Sequence, residues 1–106
     1  MSRRYLIELF LPLFDNDGKR LPAHLYEAVK AELVERFGGM TAHLRAPATG
    51  MWKKTKHGPP ERDLIVIYEV MIPRLERKWW ANYRRELETK FRQSELVVRA
   101  HRIRSL

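Results

Sequence analysis

The chain repeats itself. Displaced by 54 residues, AELVERF at 31–37 falls on RELETKF at 85–91, so Glu32 meets Glu86, Leu33 meets Leu87 and Phe37 meets Phe91. In the segments that follow, Arg45 meets Arg99 and Ala46 meets Ala100. Unrelated sequence of this length gives roughly one identity. What the first half builds, the second half is therefore expected to build again, with the two halves related by a pseudo-twofold.

Each half reads as strand, helix, strand. RYLIELFLPLF at 4–14 alternates and is rich in Leu, Ile and Phe, the pattern of a strand. DNDGKR is a turn, in which Asp and Asn bond their own backbone and Gly18 takes a positive φ. A helix from Pro22 to Phe37 follows. Pro22 suits its first turn, where the missing N–H has no intrahelical partner to lose. Leu25, Val29, Leu33 and Phe37 form its apolar stripe. Gly38 and Gly39 end it, one of them left-handed.

MTAHLRA at 40–46 reads as the second strand, and residues 47–62 as a loop or long irregular hairpin. DLIVIYEVM is the third strand. PRLERKWWANYRRELETKFRQ is the second helix, opened by Pro73, with Leu75, Trp79, Tyr83, Leu87 and Phe91 on its core face. ELVVRAHRI is the last strand. The order β-α-β-β-α-β predicts an α+β, ferredoxin-like fold with a four-stranded antiparallel sheet in order 4-1-3-2 and both helices on one face. Residues 1–106 make a single domain whose halves are about 1–46 and 63–104.

Alternation along the strands assigns the two sheet faces. Ala42, Leu44 and Ala46, with Leu96, Val98 and Ala100, suit the helix side. The central strands are apolar on both sides, apart from Glu8 and Glu69. An unpaired carboxylate in the core is costly, so both belong on the open face. That face then gathers Leu6, Phe10, Ile65, Ile67, Met71, Val97 and Ile103 around Glu8, His43, Arg45, Glu69, Arg99 and His101. It is too apolar to stand in water as one patch, and a second copy of the chain is its simplest cover.

Two readings of the polar set compete. In one, Glu8 pairs with an arginine of the last strand and Glu69 with His43 or Arg45, which fixes register. In the other, the set lines a ligand cavity, with a glutamate raised in pKa by apolar walls as a base, a histidine as a proton shuttle, and Arg45 or Arg99 holding an anionic oxygen. Trp52 is a candidate lid over the same face.

Composition narrows the function classes. The formal net charge of +8 and pI of about 10.2 attract phosphate backbones and anionic lipids without specificity. The nucleic-acid candidates are Lys53, Lys54 and Lys56 beside Trp52, together with Trp80, which sits about 100° round from the core stripe of its helix. Much of that helix's charge is balanced by the i,i+4 pairs Arg84–Glu88, Glu86–Lys90 and Glu88–Arg92. The third strand lacks the glycine and paired aromatics of RNA-recognition folds. Asp15 and Asp17 imitate the aspartate of CRISPR-associated ferredoxin-like nucleases, but turn chemistry accounts for them. The acidic turn is not a calcium loop, because the required glutamate position holds His24.

No cysteine is present, which excludes disulfides, thiol nucleophiles and thiolate metal sites and fits a reducing cytoplasm. His24, His43, His57 and His101 show no metal-ligand spacing, and no cofactor motif appears. Two arginines precede the first apolar run, as in a secretion signal. Glu8 interrupts that run and no small-residue cleavage site follows, so a strand is expected there. No apolar run is long enough for a transmembrane helix.

LFLPLFDNDGKR, RFGGMTAHLRAPATGMW, IYEVM and WWANYRRELETKFRQSELVVRA together resemble a family of small uncharacterised bacterial proteins, over nearly the whole chain. The resemblance implies a stand-alone, bacterial, cytoplasmic domain and carries no catalytic residue across. On strand order alone, the chain is also similar to the dimeric α/β-barrel proteins, which include monooxygenases, isomerases and binding proteins. The expected function is that of a homodimeric small-molecule-binding or structural protein using its open sheet face. A nucleic-acid module and a small barrel enzyme are the alternatives.

Overall fold

The computed structural model describes residues 4–45 and 64–106. In chain order they form β1 (Tyr5–Pro12), α1 (Ala23–Phe37), β2 (Thr41–Arg45), β3 (Ile65–Ile72), α2 (Arg77–Lys90) and β4 (Val98–Arg102). All pairings are antiparallel and the strand order is β2-β3-β1-β4, which is 4-1-3-2 read from the other edge. The ferredoxin-like order expected from the repeat is therefore the order observed.

The core lies between the helices and one sheet face. Ile7, Leu9 and Leu11 of β1 and Tyr68, Val70 and Ile72 of β3 are buried there against Val29 and Leu33 of α1 and Trp80, Tyr83 and Leu87 of α2. The helices cover the two central strands and leave the edges bare. Ala42 pairs with Tyr68 and Leu44 with Val66, so both point to the helix side, yet both are exposed, Leu44 by 67%. Ala100 and Arg102 are exposed in the same way on β4, whereas Leu96 and Val98 pack on the core.

The helix ends explain several local differences from expectation. Pro22 is the residue before α1, in extended conformation, and not inside its first turn. The second helix begins four residues after Pro73, at Arg77. At the other ends the two halves agree closely. Gly38 ends α1 in the left-handed conformation, with φ 88°, and its N–H bonds the Val34 carbonyl at 2.7 Å. Its counterpart 54 residues on is Arg92, also left-handed at φ 56°. There the Gln93 N–H reaches the Glu88 carbonyl at 2.9 Å, closing a Schellman-type cap around a residue with a side chain. The left-handed turn carries Arg92 off the helix axis, so the expected Glu88–Arg92 pair does not form. Glu88 instead accepts from the Leu96 N–H at 2.9 Å and forms an ion pair with Arg84 at 3.6 Å.

The strands do not follow the 54-residue spacing. Thr41 lies opposite Glu69 and Arg99 lies opposite Glu8, while His43 and His101 sit two positions further along. Residues 41 and 43 thus correspond to 99 and 101, a spacing of 58, about a pivot at the Glu8–Glu69 pair. The difference is four residues in the connection. Thr41 comes four residues after Phe37, and Arg99 eight after Phe91. The expected equivalence of Arg45 with Arg99 is replaced by Thr41 with Arg99 and His43 with His101.

Candidate functional site

The open face carries a row of ionisable side chains across all four strands. In the middle, Glu8 of β1 and Glu69 of β3 are direct cross-strand partners. Arg99, opposite Glu8 on β4, donates from Nε to Glu8 Oε1 at 2.8 Å. His101 Nε2 lies 2.8 Å from the same oxygen. On the other side, His43 Nε2 lies 3.2 Å from Glu69 Oε1. The Arg99 guanidinium also sits 4.6 Å from the centroid of the Phe10 ring, so its flat face is covered while its edge serves Glu8.

The glutamates are shielded and their partners are not. The Glu8 side chain is 13% exposed, against 55% for Arg99 and 46% for His101. The hydrogen bond from Arg99 holds the Glu8 carboxyl below its ordinary value, against the opposing effect of partial burial, with His101 adding to Arg99. This is the reverse of the shift a general base at neutral pH requires. The pairing of Glu8 with an arginine of the last strand and of Glu69 with His43 is the structural arrangement that alternation anticipated.

Apolar residues surround this row. Ile67 is buried, Leu6, Phe10, Ile65 and Ile103 are half-buried, and Val97 is 51% exposed. A groove of about 320 Å³ opens at one end, between Leu6, Met71 and Glu69 on the sheet and Gly38, Gly39, Met40 and Thr41 at the start of β2. Arg45 pairs with Ile65 at the end of the β2–β3 ladder, and its side chain lies outside the described residues. Trp52, Lys53, Lys54 and Lys56 also lie outside them.

Trp80 is not a surface residue. It is 6% exposed and stacks on Phe37 with centroids 5.2 Å apart and planes 12° apart. Trp79 is the partly buried member of the pair, packed at the edge of the core. The stripe that faces the core is Trp80, Tyr83, Leu87 and Phe91, which meets helical spacing as well as a stripe begun at Trp79. Phe37 from α1 chooses between them, because its ring stacks on Trp80 and meets Trp79 only edge-on, at 5.6 Å. An expected nucleic-acid contact at Trp80 is thereby removed.

Asp15 is turn chemistry. Its Oδ1 accepts from the Asp17 N–H at 2.9 Å and the Lys19 N–H at 2.8 Å, and the latter bond leads in lowering its pKa. Gly18 has φ 81° and donates to the Asp15 carbonyl at 3.0 Å. Among the described residues no group of three or more His, Asp or Glu is placed to hold a metal ion, and no helix is long and apolar enough to cross a membrane.

Sequence reasoning passed over one cluster. Arg4, Arg36, Arg74 and Arg77 line an open cleft of about 880 Å³ beside Tyr5, Phe37 and Leu75. The only local signal was the basic run PRLERK ahead of a helix, where acidic residues are the favourable choice. Arg4 and Arg36 reach the same place only through the tertiary fold. Comparison of the chain with protein-family models, with curated proteins and with solved structures finds no match.

Proposed function

We propose that the protein is a homodimeric module that associates through its open sheet face, with the Glu8–Arg99–His101 and Glu69–His43 groups as the polar centre of the interface. One observation carries this reading: the apolar face is close to electrically neutral in a chain of net charge +8. Its described ionisable groups are Glu8, Glu69, Arg99, His43 and His101. They sum to −1 with neutral imidazoles and +1 with both protonated. Two such faces approach each other without the net repulsion that the chain's overall charge imposes. Burying Leu6, Phe10, Val97 and Ile103 against a copy supplies the attraction. The paired glutamates enter the interface already satisfied, so the cost of burying them is low.

The groove beside Leu6, Thr41 and Glu69 favours a small-molecule ligand at the margin of that interface, since it opens onto the same face. An enzyme using Glu8 as its base is disfavoured by the lowering of its pKa.

The test is sedimentation of the chain and of Val97→Glu. Val97 lies beside Phe10 on the open face and is half-exposed, so the substitution leaves the core intact. The expected result is a dimer that dissociates at least tenfold more readily in the variant. A monomeric parent chain, or a dimer indifferent to Val97→Glu, refutes the reading.

A further inference from the structure

The arginine cleft lies away from the ionisable row, at the end of the sheet where β1 begins and β3 ends. Its four guanidinium groups come from four places in the fold: Arg4 ahead of β1, Arg36 in the last turn of α1, Arg74 after β3, and Arg77 at the start of α2. Among the described residues, only Arg36 of these four has a carboxylate partner. It donates from Nη2 to Glu76 Oε1 at 3.2 Å, and its guanidinium lies 4.2 Å from the Trp79 ring centroid. Among the described residues, Arg4, Arg74 and Arg77 have no carboxylate within ion-pair distance.

This is an unfavourable arrangement for an empty surface. Like charges gathered in one concavity repel, and the concave walls reduce the screening that water supplies. The helix that opens here adds to the positive charge. α2 begins with Arg77 and Lys78 at the positive end of its dipole, and the N-cap residue Glu76 makes no side-chain cap hydrogen bond and is turned to Arg36. An anion seated in the cleft offsets each of these costs together. Guanidinium groups suit phosphate in particular, because two parallel N–H donors match two phosphate oxygens. Tyr5, Phe37, Ile72 and Leu75 give apolar or aromatic wall for the non-phosphate part of a ligand, and Pro73 and the Arg36-paired Glu76 complete the lining.

We propose that this cleft binds a phosphate-bearing small molecule of about nucleotide size, with Arg74 and Arg77 on the phosphate, Arg4 closing from the opposite side, and Arg36 held in place by Glu76 and Trp79. The site is separate from the proposed dimer face, and it stands or falls independently of the association state.

The experiment is calorimetric titration of the whole chain with pyrophosphate and with adenosine triphosphate at low ionic strength. Arg74→Gln/Arg77→Gln is compared with Lys19→Gln/Lys30→Gln, which removes the same charge from exposed positions outside the cleft. Arg74 and Arg77 are exposed and make no ion pair, so the first variant is expected to fold, and circular dichroism checks that it does. The proposal expects saturable binding of both probes, weakened tenfold or more by the cleft variant and less than twofold by the control. Arg74→Lys/Arg77→Lys keeps the charge but loses the paired donors, and is expected to fall between. Absence of saturable binding overturns the proposal, as does equal weakening by both charge-removing variants. Binding of a single-stranded oligonucleotide without binding of either small probe overturns it in favour of a nucleic-acid surface.

Discussion

Glu8 and Glu69 face each other across the β1–β3 ladder, two carboxylates at directly paired positions on one side of the sheet. Like charges so placed are destabilising by about 0.2–1 kcal/mol. The neighbouring strands answer the two unequally. Glu8 receives Arg99 and His101 on one oxygen, and Glu69 receives His43 alone. The central pair therefore links all four strands, since each glutamate ties its own edge strand to the middle of the sheet.

Glu8 makes stability depend on pH with a definite sign. Its folded pKa lies below the ordinary 4.5, so the unfolded chain takes up the proton first as pH falls. The stabilisation is present in full above 4.5 and is lost as pH falls through the lower folded value. Glu8→Gln is expected to cost about 1 kcal/mol at neutral pH, discounted for the exposure of Arg99. Urea denaturation at pH 7, 5 and 3 checks this. The gap between parent and variant should close only in the most acidic sample.

Arg92 occupies a left-handed position that its counterpart Gly38 fills without strain. Arg92→Gly is expected to raise stability by about 0.5–1 kcal/mol, and Gly38→Ala to lower it by about 1 kcal/mol. No atom lies within 4 Å of a Cβ added at Gly38, so that loss would be conformational and not steric. Thermal denaturation of both variants reads the two signs.

Tyr83 is buried, and among the described residues its hydroxyl has no hydrogen-bond partner. Burial pushes the phenol pKa up, and the nearby Glu32 carboxylate adds to that. Tyr83→Phe removes a buried hydroxyl for which Glu32 is an acceptor only beyond ordinary hydrogen-bond geometry, while keeping the ring stacked on Trp79 at 4.9 Å. It is expected to leave stability unchanged or raise it by about 1 kcal/mol. A clear loss in denaturant midpoint would count against the assignment.

Trp80 and Trp79 are neighbours with unequal loads. Trp80→Ala empties a core position between Phe37 and Tyr83 and is expected to cost about 3–5 kcal/mol. Trp79→Ala removes a partly buried ring and is expected to cost less than half of that. Chemical denaturation of the two variants distinguishes this order from the reverse, which a stripe begun at Trp79 requires.

The faces of the sheet were legible from alternation, and the reason is arithmetic. The helices repeat at 54 residues and the two outer strands at 58. Both spacings are even, so an error of four residues in register leaves every side chain on its correct face. Glu8, His43, Glu69, Arg99 and His101 were therefore grouped on one face, and the pairing of Glu8 with an arginine of the last strand was legible. The choice between His43 and Arg45 for Glu69 and the second partner His101 on Glu8 were not. The choice between Trp79 and Trp80 was not legible, because both satisfy helical period and only the position of Phe37 separates them.

The sequence by itself determined the order of elements, the antiparallel sheet and the partition of its two faces. These follow from short-range periodicity, from Gly38 at a helix end and from the Asp15–Gly18 turn, all of which act within a few residues. Tertiary structure decided which of the possible charge partners meet, and brought together charges that no local pattern links. The Glu8–Glu69 juxtaposition depends on the β1–β3 register, and the arginine cleft depends on bringing Arg4, Arg36, Arg74 and Arg77 to one end of the sheet. Electrostatic interaction depends on distance in space, and residues 4 and 77 become neighbours only when the chain between them has folded.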